Sequence, residues 1–158
     1  MKNFLSFDFW QKFGKALLVV VAVMPAAGIM ISLGKLVGMT GGDIALVQTI
    51  ARVMEDIGWG IITNLHVLFA VAIGGSWAKE RAGGAFAALI AFVLINRITG
   101  AIFGVNNDMV ADPEATFTTL FGQELVVGDY FTTVLGAPAL NMGVFVGIIA
   151  GFLGANLF

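Results

Sequence analysis

An all-α integral membrane protein is the fold class this sequence predicts, with about four transmembrane helices, an N-terminal surface helix and a short external amphipathic helix. Three observations carry that expectation. Hydrophobic residues form 59% of the 158-residue chain and charged residues 11%, whereas ordinary soluble domains carry about 25% charged residues. Apolar stretches of about 20 residues, the length that crosses a bilayer core, recur along the chain between polar or glycine-marked breaks. Small residues repeat every four positions inside them, the spacing that lets helix backbones approach closely in lipid.

The same composition excludes several function classes. The net charge of -2 offers no basic stripe for a nucleic acid. The absence of cysteine removes disulfides, thiolate metal sites and a cysteine nucleophile from this stretch, and a single histidine makes an imidazole-based metal cluster improbable. No cofactor, metal or catalytic residue is expected here.

Residues 1–15 read as a cytoplasmic surface helix. Leu5, Phe9, Phe13 and Ala16 share one face, with Asp8, Gln11 and Lys15 opposite. The apolar stretch that follows is too long for a signal-peptide core and lacks a small-residue cleavage site. Span one covers 16–34 and contains Pro25, which removes a ladder bond to Val21; a packing bend beside Gly28 fits better than a hinge. Gly41-Gly42 breaks the chain and Asp43 is the expected N-cap of a short amphipathic helix. Its polar residues Gln48, Arg52, Glu55 and Asp56 keep it at the external surface.

Span two covers 58–78, and Lys79-Glu80-Arg81 closes it. Span three covers 82–105. Residues 106–130 form a polar, acidic external loop with an Asp112-Pro113 turn, in which 116–127 could make a short hairpin. Span four covers 137–158, with Pro138 near its start. Placing the N-terminus inside puts Lys2, Lys12, Lys15, Lys79 and Arg81 in the cytoplasm, and leaves most acidic residues outside. The apolar final residues, 151–158, read as a fragment of a longer protein.

The clearest pattern is the small-residue stripes: Gly143, Gly147, Gly151 and Ala155 in the last span, Ala70, Gly74 and Ala78 in the second, Gly83, Ala87 and Ala91 in the third. They fit a dimerising scaffold and packing within one subunit equally well. His66 is a candidate substrate or proton contact. No acidic group lies in any span to relay a proton, so an uncharged imidazole bonded to a neighbouring helix, through Asn64, is the expected role. In Asn96-Arg97, the arginine is expected to snorkel to the outer interface. Gly41-Gly42 and Gly83-Gly84 lack the Lys-Ser/Thr of a phosphate loop and are helix punctuation.

Several runs carry a family resemblance. Phe9-Trp10-Gln11-Lys12-Phe13-Gly14-Lys15-Ala16 and Val23-Met24-Pro25-Ala26-Ala27-Gly28 resemble the N-terminus of enzyme IIC, the membrane subunit of the sugar phosphotransferase system, in its glucose branch. Asn64-Leu65-His66, Leu68-Phe69-Ala70 and the run Gly74 to Phe86 resemble its second and third spans, and Gly136 to Phe145 the start of its fourth. Many members have proline where this chain has His66, which argues against a family-wide role for that histidine.

The resemblance implies sugar import coupled to phosphorylation at the cost of phosphoenolpyruvate, in a bacterial cytoplasmic membrane. The partners implied are a sugar (glucose first, with maltose or an amino sugar as neighbours), IIA and IIB domains or subunits, the lipid bilayer and a second copy in a homodimer. The complete protein would be a protein-N-phosphohistidine–sugar phosphotransferase. The family's Gly-Ile-Thr-Glu-Pro-like sugar motif and the IIB cysteine are absent from this stretch, so no sugar-binding residue is carried over. A small helical membrane scaffold, or part of a non-phosphorylating carrier, is the alternative.

Overall fold

The structure is a computed structural model in which residues 6–157 are described; Leu5, assigned to the surface helix, lies outside them. In chain order it contains α1 (Phe7–Val21), α2 (Met24–Thr40), α3 (Ala45–Thr63), α4 (Leu65–Trp77) and α5 (Arg81–Ile102). There follow α6 (Asn107–Ala111), β1 (Thr116–Thr118), β2 (Glu124–Val126), α7 (Val127–Tyr130), β3 (Phe131–Val134), β4 (Ala137–Leu140) and α8 (Phe145–Leu157).

Helix α1 begins where the Ser6 side chain accepts a hydrogen bond from the Phe9 N–H at 3.2 Å, with Asp8 in the first turn complementing the helix dipole. Phe9 and Phe13 are half-buried and Ala16 fully buried, while Asp8, Gln11 and Lys15 are exposed, so the amphipathic face forms as the sequence predicts. It does not end at Lys15. The helix runs unbroken to Val21, joining the surface segment to the start of the first apolar stretch. The break falls at Ala22–Val23, and Pro25 sits in the first turn of α2, where its missing N–H leaves little unsatisfied. Gly28 makes no packing bend: a Cβ there would meet nothing within 4 Å. Phe7–Thr40 forms a 34-residue apolar stretch, about 50 Å if straight against about 30 Å of hydrocarbon.

Helices α2 and α3 pack on each other as a hairpin arm. A Cβ on Gly34 would lie 2.7 Å from the Ala51 carbonyl oxygen and from Glu55 Cγ, and one on Gly58 2.5 Å from the Ala27 carbonyl oxygen. The expected N-cap, Asp43, lies one residue early; Ile44 takes that position with no side-chain bond. Gln48 fastens the turn instead, its Nε2 donating to the carbonyls of Gly38 and Gly42, both at 2.8 Å.

Helix α3 passes straight through Gly58, where the sequence placed a boundary between surface helix and span, and stops at Thr63. There the chain bends by 55° into α4. Asn64 causes the bend. Its side-chain Nδ2 takes the Gly60 carbonyl at 2.7 Å, the acceptor that its own N–H would use in a continuous helix, and that N–H turns to Ile61 at 3.3 Å.

Helices α1, α4, α5 and α8 form a bundle around Ala70, Phe92, Val146 and Ala150. The small-residue stripes are spent inside it. On α8, a Cβ at Gly147 would strike the His66 carbonyl of α4. At Gly151 it would lie 2.6 Å from Ile73 Cβ, and at Gly154 it would strike the Ala88 backbone of α5. Between α4 and α5 the contact runs through Gly74, Gly84 and Ala88, with the Gly74 Cβ position 2.5 Å from the Gly84 carbonyl oxygen. The α5 face is therefore offset by one residue from the Gly83, Ala87, Ala91 stripe. Gly143 precedes α8 in a left-handed conformation (φ +56°) and is not part of its face.

Helix α5, 22 residues long, is apolar enough to cross a membrane alone and ends at Phe103 and Gly104 (φ +64°). The acidic segment after it is compactly folded. Phe103, Val105, Phe117, Val127 and Phe131 build a small apolar centre, and Asp112 forms the expected turn, its Oδ1 accepting from the Glu114 N–H at 3.0 Å. The 116–127 hairpin is present as β1 paired antiparallel with β2.

The fourth apolar stretch differs from its expected helix over 137–158. Residues 131–140 make a second antiparallel hairpin, β3–β4, and helix begins only at Phe145. Pro138 lies in strand β4, and the turn is closed by Leu135 (φ +48°) and Gly136 (φ +76°). Two consecutive positive φ values give the two-residue turn whose twist matches a hairpin. The hairpin lies on α5: a Cβ at Gly100 would strike the Pro138 carbonyl, and the Leu140 N–H donates to Thr99 Oγ1 at 3.2 Å.

Candidate functional site

A cleft of about 480 Å³ opens at the end of the bundle where α4 begins, α5 ends and α8 begins, within the roughly 300–1,000 Å³ range of small-molecule sites. The Asn64 bend supplies Thr63, Asn64 and His66; α5 supplies Asn96; the β3–β4 hairpin and the segment before α8 supply Thr132, Thr133 and Asn141. Apolar walls come from residues such as Val134, Met142 and Val146.

Each polar group is placed by local structure. Asn96 is 3% exposed, and its Nδ2 donates to the Phe92 carbonyl one turn back at 3.0 Å. His66 lies over Phe92 with ring centroids 5.0 Å apart. The hydrogen bond expected between Asn64 and His66 is not made; the Asn64 amide nitrogen donates instead to the Gly60 carbonyl and to Thr63 Oγ1. The Leu135–Gly136 turn borders the opening, and Asn107 Nδ2 holds the Gly136 carbonyl at 3.3 Å. Leu135 is a non-glycine residue in the left-handed region, where an L side chain costs about 1–2 kcal/mol.

The lining has no carboxylate, lysine or arginine, so it has no counterion for a charged ligand. It presents neutral amide and hydroxyl groups and one imidazole, an array suited to hydrogen-bonding a neutral polar molecule. Among the candidates the sequence singled out, His66, Asn64 and Asn96 converge here. Arg97 does not; it is exposed, one residue from Asn96 but on another face. Thr132 and Thr133 fall in a segment that reads as the approach to a helix, and Asn141 falls inside the expected span over 137–158. The signal was present in Thr132-Thr133-Val134, a β-favouring run followed by a glycine turn.

The opposite end of the bundle is aromatic. Phe9 and Phe13 of α1 lie 5.4 and 6.2 Å from Trp77 of α4, and Phe152 of α8 lies 5.2 Å from Trp77. Lys12 Nζ stands 5.9 Å from the Trp77 ring centroid. Tryptophan beside lysine is the pairing expected where a membrane meets water.

Apolar helices long enough to span, a glycine-packed bundle and a neutral polar cleft define a helical membrane domain. Comparison with known proteins sharpens that class. The family described as "Phosphotransferase system, EIIC" matches residues 14–158, and the chain belongs to that family. It is 66% identical over 157 residues to the "PTS system glucose-specific EIICBA component" of Streptococcus pneumoniae serotype 4, covering 99% of this chain and 22% of that protein. It is 32% identical over 154 residues to the protein of the same name from Staphylococcus carnosus, covering 92% of this chain and 20% of that protein. The chain thus spans about a fifth of the length of these relatives.

Proposed function

We propose that this chain is the N-terminal membrane portion of a glucose-type phosphotransferase permease. The complete protein imports a hexose, glucose first, and phosphorylates it with phosphate drawn from phosphoenolpyruvate through IIA and IIB domains. The observation that carries this reading is the 66% identity, along nearly the whole chain, to a protein named as a glucose-specific EIICBA component. The neutral hydrogen-bonding cleft supports it, since a sugar asks for amides and hydroxyls rather than charge.

The proposed orientation in the cytoplasmic membrane is multi-pass with the N-terminus inside. Lysine and arginine bias supports it, with Lys12, Lys15, Lys79 and Arg81 at the aromatic end. The cleft and the acidic cap then face outward. A homodimer is proposed for the complete protein from the family resemblance, and the outward apolar faces of the α2–α3 arm (Ile29, Leu33, Ile50 and Val53 are exposed) are compatible with lipid or a partner copy.

The test is phosphoenolpyruvate-dependent formation of glucose phosphate by membranes containing the complete protein and the soluble phosphocarriers. Phosphorylated hexose is the expected product. Membranes that phosphorylate no hexose would overturn the reading.

A further inference from the structure

We infer that the aromatic end of the bundle holds an anionic phospholipid, its phosphate seated between α1 and the α4–α5 turn and its acyl chains lying along the outer face of α1. This site lies at the other end of the bundle from the cleft and goes beyond the permease reading.

The outer face of α1 carries the argument. Phe9, Phe13, Ala16 and Val20 turn toward the bundle, while Lys12, Lys15, Leu18 and Val19 share the opposite, exposed side. Leu18 is 65% and Val19 64% exposed. Within about 5 Å, one helical turn, this face passes from ammonium groups to bare aliphatic side chains. The same order runs along a phospholipid, from phosphate to acyl chain. A soluble anion would leave Leu18 and Val19 uncovered, and a hydrocarbon chain alone would leave the lysines without a counterion.

The docking of α1 on α4 adds a second source of charge. Lys12 Nζ stands 5.9 Å from the Trp77 ring centroid, within cation–π reach. Lys79 and Arg81 follow Trp77 directly in the α4–α5 turn, and both are exposed. Among the described residues, only Asp8 and Glu80 oppose these cations at this end. Lys12, Lys15, Lys79 and Arg81 make no ion pair among the described residues. A phosphodiester relieves the repulsion between such gathered cations, and a headgroup with its own ammonium does so less well. Trp10, 58% exposed, and Trp77 set the level, because tryptophan rings lie at the headgroups. The lysine stems reach along the chains to the phosphate.

The experiment follows the melting temperature of the complete protein, purified in a neutral detergent. It is titrated with phosphatidylglycerol, with phosphatidylcholine and with glycerol 3-phosphate. Phosphatidylglycerol should raise the melting temperature, and phosphatidylcholine should need at least about tenfold more lipid for the same rise. Glycerol 3-phosphate, a headgroup without chains, should leave it unchanged. Lys12→Gln with Lys15→Gln should move the phosphatidylglycerol titration about tenfold to higher concentration, and Lys79→Gln with Arg81→Gln should do the same. The arm pair Lys35→Gln with Arg52→Gln should titrate as wild type. If one basic pair fails to purify, the other decides. Equal responses to the two lipids, a rise with glycerol 3-phosphate, or a basic pair that titrates as wild type would overturn the site. None of these readouts uses glucose phosphorylation, so the site and the permease reading fail independently.

Discussion

The bundle and the α2–α3 arm use the same device, glycine at a helix crossing, in different surroundings. In the bundle, α4, α5 and α8 each touch the other two, so Gly74, Gly84, Gly147, Gly151 and Gly154 close a core against backbone on more than one side. In the arm, Gly34 and Gly58 bring two helices together, but the far faces of both remain open, with Ile29, Leu33, Ile50 and Ile57 exposed. The arm joins the bundle through two interruptions, at Ala22–Val23 and at Asn64. Close helix approach therefore closes a core only where a third element covers the pair. In lipid no hydrophobic drive does this automatically, and the third helix must itself carry small residues.

Substitutions can break this comparison or refine it. The largest effect is expected from Gly147→Leu, whose side chain must displace the His66 backbone. It should cost about 3 kcal/mol, the upper end for overpacking, read as lost thermal stability in detergent; unchanged stability would show that the α4–α8 contact is not close. Gly58→Leu in the arm meets the Ala27 carbonyl and Ile31 at 2.5 Å. About 2 kcal/mol is expected, appearing as faster proteolysis within 24–63 while the bundle stays protected. Cleavage spreading equally through the bundle would mean the two regions are one unit.

Gly→Ala should have opposite signs in the two regions, and a change in the β3–β4 turn gives a third reference. Gly74→Ala puts a methyl 2.5 Å from the Ala88 Cβ and should destabilise by about 1–2 kcal/mol. Leu135→Gly removes the left-handed strain and should stabilise by about 1 kcal/mol. Gly28→Ala, facing open space on α2, should stabilise by about 0.5–1 kcal/mol through helix propensity. Melting curves of the three variants decide the matter, and equal signs for Gly74→Ala and Gly28→Ala would remove the distinction.

The long apolar helices were legible because composition and run length report burial in lipid directly. The family was legible in runs such as Asn64 to Ala70. Boundaries were less so, for physical reasons. Gly58 reads as a break, yet it is where α3 meets Ala27, and glycine serves both purposes. The real break at Asn64 depends on a side chain taking a backbone acceptor, which a hydropathy profile does not register. The β3–β4 hairpin was hidden because Val134, Leu135, Ala137, Ala139 and Leu140 are as apolar as a helix, and only the Leu135–Gly136 turn distinguishes them. The cleft was therefore half visible: His66 and Asn96 stood out as polar groups in apolar runs, whereas Thr132, Thr133 and Asn141 needed the hairpin to bring them in.

The most direct measurement compares phosphoenolpyruvate-dependent glucose phosphorylation by membranes carrying the complete protein, as wild type, Gly147→Leu and Gly28→Ala. The wild type and Gly28→Ala should form glucose phosphate at similar rates, and Gly147→Leu should lose most of that activity with its bundle. Full activity in Gly147→Leu, or none in the wild type, would contradict a glycine-closed bundle that serves a glucose permease.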